Sequence, residues 1–133
     1  MSVQRQWSHE TELAAVASNV SHARAFVSGH LSAHELAYLV EDIELVVSEL
    51  ATNAMVHACT PFTVVLGAFE NTVSLRVLDG SHKGPTLVVA RGLETNGRGL
   101  VIVQALSRDW GVSAHASGGK SVWAEFDIRG ISS

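Results

Sequence analysis

Glu49 and Asn53 stand four residues apart in the run Leu45-Val46-Val47-Ser48-Glu49-Leu50-Ala51-Thr52-Asn53-Ala54. On a helix that spacing places both side chains on one face, and His57 extends the row by another turn. A carboxylate and a carboxamide so placed can serve a proton transfer and a cation. The amide oxygen of Asn is an uncharged ligand of the kind Mg²⁺ accepts, and Mg²⁺ completes its shell with phosphates and water. A glutamate beside it can take the proton of a hydroxyl or water that attacks a phosphate. The same spacing also describes a solvated helix flank.

Three further groups bear chemistry. Asp79-Gly80 is a turn signal, or an acceptor at a strand end for an exocyclic amine such as that of adenine. Asn96-Gly97-Arg98-Gly99 precedes an apolar helical run that starts at Leu100, where glycine backbone freedom and a helix N-terminus together would make an anion cradle. Arg98 would add a fork of donors. No Gly-Lys-Ser/Thr follows, so this is not a P-loop, and no strand leads directly into it, so it is not a dinucleotide-binding turn. Gly118-Gly119 reads as a tight turn, with the Ser121 hydroxyl placed near the same pocket.

These groups need elements to hold them. Gln4 to Trp7 reads as a short first strand, and Thr11 to Val27 as an amphipathic helix stopped at Gly29. Glu35 to His57 carries one apolar stripe through Leu36, Leu39, Ile43, Val46, Leu50 and Ala54, with Pro61 beyond it. Phe62–Phe69 and Thr72–Leu78 read as a hairpin. Asp79 to Gly99 is a glycine-rich functional loop. Leu100–Leu106 is the third helix, and Trp110–His115 and Ser121–Ile128 are the last strands. The order, with strands neighbouring in sequence and helices grouped apart, predicts an α+β two-layer sandwich and not a doubly wound parallel sheet. His30 and His34 read as surface residues, and the tryptophans as packed in or beside the sheet.

Composition narrows the function. The 133 residues make one domain, residues 1–133. A net charge of −4 argues against general nucleic-acid binding. A single cysteine, Cys59, allows no internal disulfide and fits a reducing cytoplasm. The first twenty residues show no apolar block of a signal peptide, and no run is long enough to span a bilayer. Only 17% of residues are charged, fewer than the quarter or so of a typical domain, which leaves room for a face hidden against a partner.

Taken in order, the motifs resemble those of the GHKL ATPases, the group of gyrase, heat-shock chaperones, histidine kinases and mismatch-repair ATPases. Leu45 to Ala58 resembles their N-box, Val77-Leu78-Asp79-Gly80-Ser81 the first glycine box, Gly97-Arg98-Gly99-Leu100 the second, and Gly118 to Trp123 the third. Within the group the chain is most similar to the small bacterial anti-sigma-factor, serine-protein-kinase branch. The resemblance implies a Bergerat-type fold, a mixed and mainly antiparallel sheet with about three helices on one face, with ATP and Mg²⁺ between helices and sheet. It implies Glu49 as catalytic base, Asn53 as the magnesium ligand, and Asp79 as the reader of adenine. It also implies nucleotide contacts from His57, Ser81, Gly97, Arg98, Gly99, Leu100 and Ser121. Ser81 stands where the broad group has glycine, so the loop after Asp79 must run differently.

Two functions follow as expectations. The first is a serine/threonine kinase that phosphorylates an anti-anti-sigma antagonist and binds a sigma factor, with a homodimer suggested by the family. The second is a nucleotide-binding module that acts through partner binding without transfer.

Overall fold

The computed structural model describes residues 6–80, 98–114 and 118–128. The first strand, β1 (Trp7–Leu13), alternates half-buried and exposed residues along its whole length, the period of a strand with one packed face. Thr11–Leu13 therefore belong to β1 and not to the first helix, which is α1 (Asn19–Ala33). Gly29 lies inside α1 and does not stop it. The stop is Glu35, at φ 64°. The Leu36 N–H donates to Leu31 O at 2.8 Å and the Glu35 N–H to Ser32 O at 3.1 Å, the paired bonds of a Schellman motif. Leu31 and Leu36, its two apolar flanks, are both buried.

The second helix consequently starts later than its apolar stripe suggests. A short 3-10 turn at Ala37–Leu39 leads into α2 (Val40–Ala58), which ends at Cys59 in the left-handed conformation, φ 57°. β2 (Phe62–Phe69) and β3 (Thr72–Asp79) form the predicted hairpin. α3 (Arg98–Leu106), β4 (Asp109–Ala114) and β5 (Lys120–Asp127) complete the described elements. Arg98 and Gly99 are thus the first turn of α3, two residues before the expected start.

The five strands form one sheet in the order β1-β2-β3-β5-β4. Each described pairing is antiparallel, so the parallel component expected of the sheet is absent among these strands. β3 and β4 both flank β5, and α3 lies on the connection that carries the chain past it.

One face of the sheet, with Val64, Leu66, Val73, Leu75, Val77, Val122, Ala124 and Phe126, packs against Ala23, Val27 and Leu31 of α1, Ile43, Val46, Val47 and Leu50 of α2, and Val103 of α3. Burying each large aliphatic side chain contributes roughly 1.5–3 kcal/mol, and this layer sets where α2 sits on the sheet. The architecture is the expected two-layer α+β sandwich. No helix among the described residues is long and apolar enough to cross a membrane.

The histidines of α1 are more than surface residues. Trp7 stacks on His34 with ring centroids 3.8 Å apart, and His9 stacks on His30 at 3.8 Å. The Nε2 atoms of His9 and His34 share a hydrogen bond of 3.0 Å. The cluster seats α1 on the edge strand β1. Among the described residues no group of three or more His, Cys, Asp or Glu side chains is arranged to hold a metal.

Candidate functional site

The helical end of the site comes from α2. Its buried stripe runs through Leu50, Ala51 and Ala54, and Asn53 lies within that stripe at 6% exposure. Glu49, one turn earlier, is half-buried at the margin. The Oδ1 of Asn53 is buried and has no hydrogen-bond partner among the described residues; the other such atom is Trp7 Nε1, on β1. Leaving a buried carbonyl oxygen unmatched costs about 1–3 kcal/mol, and such an atom calls for a ligand or strain to explain it. A hard cation matches its chemistry, since Mg²⁺ takes neutral oxygen donors alongside phosphate and water.

The sheet end comes from β3 and β5. Residues alternate faces along a strand, and Asp79 follows Val73, Leu75 and Val77 on the face that meets the helices. Across the ladder its partner in register is Lys120. The Lys120 Nζ donates to Asp79 Oδ2 at 2.6 Å, with side-chain exposures of 0% and 2%. Gly119, at φ 93°, brings its Cα close beneath the Asp79 carbonyl. Ser121, the next residue of β5, pairs with Leu78 on the other face. Ser121 is buried, and strand alternation puts it on the sheet face opposite to Asp79. Lys120 is the β5 side chain that reaches the site, and the sequence motifs alone do not single it out.

Two links bring these ends together. Thr60 follows α2, and its Oγ1 accepts a hydrogen bond from the Gly80 N–H at 3.0 Å. Phe62 opens β2 directly opposite Asp79. The C-terminal half of α2, with Asn53, therefore lies at the same end of the sandwich as Asp79 and Lys120. α3 packs along α2. Its last turn, at Leu106, lines a cleft with Leu39 and Asp42 at the opposite end, so the first turn of α3 is the part nearer to Asp79. Backbone N–H groups at that first turn carry partial positive charge. Ser81, Gly97 and the preceding loop lie outside the described residues, as do the side-chain positions of His57, Arg98 and Leu100.

A hard-oxygen acceptor, a buried carboxylate and a helix N-terminus at one end of a helix-on-sheet sandwich are what a nucleotide triphosphate with its cation requires. A family model described as the histidine kinase-like ATPase domain matches residues 13–126. The chain belongs to this family. The match runs from the end of β1 to Phe126 of β5, and so takes in the N-box helix, Asp79 and the Gly118-Gly119 turn. Membership of the histidine kinase-like ATPase family makes ATP the ligand to expect between α2 and the sheet. Among curated proteins, none matches the chain.

Proposed function

We propose that this histidine kinase-like ATPase domain binds ATP with Mg²⁺ and acts as an anti-sigma-factor-type serine/threonine kinase. The observation that carries the reading is the orphaned Oδ1 of Asn53 with the Glu49 carboxylate one turn away. In this reading Asp79 accepts the exocyclic amine of adenine, and Asn53 holds Mg²⁺. His57, Ser81 and the segment Gly97, Arg98, Gly99 and Leu100 receive the nucleotide. Bound Mg²⁺ would neutralise charge on the terminal phosphates.

Glu49 takes the proton from a serine or threonine hydroxyl of a partner as that oxygen attacks the γ-phosphorus. The bond from the γ-phosphorus to the bridging oxygen breaks, and ADP leaves. The partner is an anti-anti-sigma antagonist, and the competing client is a sigma factor. The phosphoryl group adds a charge of about −1.5 to −2, enough to oppose a tight interface by repulsion and desolvation. The modified antagonist then cannot capture the kinase, which stays free to hold sigma. A second copy of the chain completes the assembly.

The test is transfer from γ-labelled ATP to a candidate antagonist in Mg²⁺, beside a Glu49→Ala variant. Label on the antagonist that disappears with Glu49→Ala supports the kinase. Transfer that survives the substitution removes Glu49 as base. Tight ATP binding with no transfer to any antagonist leaves the regulatory module in place of the kinase.

A further inference from the structure

Lys120 is fully buried and ends against Asp79. A lysine rarely lies so deep unless paired, and a buried ion pair adds little net stability over apolar residues of similar volume. The pair therefore has to be understood from what it does locally. A carboxylate on a short side chain rotates about its last bond, and a charge-assisted hydrogen bond to one oxygen stops that rotation. With Lys120 on Oδ2 at 2.6 Å, the plane of the Asp79 carboxylate is set. The backbone beneath it is set as well, because Gly119 packs on the Asp79 carbonyl. Lys120 also supplies a compensating positive charge beside a carboxylate that is largely withdrawn from solvent.

We propose that Lys120 is the positioning residue for base recognition: it orients the Asp79 carboxylate so that an exocyclic amine on a purine is read by it. The inference rests on the nucleotide reading given above. Lys120 acts through Asp79 and not through phosphates or the cation, so its effect is confined to the part of the affinity that comes from the amine.

The experiment measures dissociation constants by calorimetry for ATP and for purine riboside triphosphate, which lacks the 6-amino group, in Mg²⁺. Wild-type protein should prefer ATP by at least tenfold. Lys120→Met should reduce that preference to within about threefold while changing affinity for the analogue by less than threefold. Lys120→Arg, which keeps a cation, should restore most of the preference. Equal loss of both ligands in a folded Lys120→Met variant, or a preference left intact, overturns the role of Lys120 alone.

Should Lys120→Met not fold, the wild-type side-chain ammonium resonance of Lys120 gives the answer. It should shift on saturation with ATP and stay in place with the analogue; an unchanged resonance in both overturns the proposal. Wild-type protein that binds neither triphosphate removes the nucleotide reading itself and the inference with it.

Discussion

Gly119 and Asp79 meet backbone to backbone: a Cβ placed on Gly119 would stand 2.5 Å from the Asp79 carbonyl oxygen. The contact joins the turn before β5 to the last residue of β3. It brings Lys120, the next residue, level with the Asp79 side chain.

Gly119→Ala should therefore destabilise the fold. The new methyl meets backbone that cannot swing aside, and φ of 93° is a conformation that side-chain-bearing residues rarely adopt. The expected loss is roughly 1–3 kcal/mol, read as a lower thermal midpoint, with weaker ATP binding as the Asp79–Lys120 pair is pushed apart. A midpoint equal to the wild type would contradict the contact.

Gly111→Ala offers a contrast on the outer sheet face. Its Cβ would stand 2.5 Å from Cζ2 of Trp123, the residue opposite it on β5. Here the obstacle is the far edge of a side chain, which can turn. We expect a smaller loss than for Gly119→Ala, about 1 kcal/mol from displaced packing, together with a change in tryptophan emission. A larger loss than at Gly119 would show the indole to be fixed.

Asn53→Ala should separate stability from binding. The substitution deletes a buried amide whose Oδ1 has no partner among the described residues and places the best helix former in mid-helix. Stability without ligand should stay within about 1 kcal/mol of wild type or rise. The stabilisation by ATP should no longer increase when Mg²⁺ is added. A thermal-shift series with and without Mg²⁺ decides; an undiminished Mg²⁺ effect would remove Asn53 as a ligand.

The histidine cluster makes stability depend on pH. Burial, and then the neighbouring His9, hold His34 below the ordinary imidazole value of 6.5. Burial, then His9 and His34, do the same for His30. The folded state thus binds fewer protons than the unfolded chain between those lowered values and 6.5, and in that window stability increases with pH. The contribution is complete above about 6.5 and is lost as pH falls below it toward the folded values. Urea midpoints between pH 7.5 and 5 should show the decline, and His34→Gln should flatten it. An identical slope in the variant would place the effect elsewhere.

Much of the fold was legible because its signals are local. The stripe from Leu36 to Ala54 marks a helix packed on one side, and the runs Phe62–Phe69 and Thr72–Leu78 mark a hairpin around Glu70-Asn71. The boundaries that went astray were those where local signals compete. Leu13 fits a helical spacing with Val16 and Val20, yet its strand register against Phe62 prevails. Gly29 has a stop residue's composition, but the stop is Glu35, whose strained φ is held by the buried Leu31–Leu36 flanks.

The linear order of residues by itself determined the N-box pairing of Glu49 with Asn53, since helical periodicity alone puts them on one face. It also determined that a carboxylate, Asp79, ends a strand. Only the tertiary structure decided that Lys120 and not Ser121 faces Asp79, because strand register between segments 41 residues apart is set by packing across the whole sheet. A one-residue slip exchanges every side chain between faces. The same is true of Asn53: its type was visible along the chain, but its unmatched buried oxygen arises only when α2 is pressed onto β2 and β3.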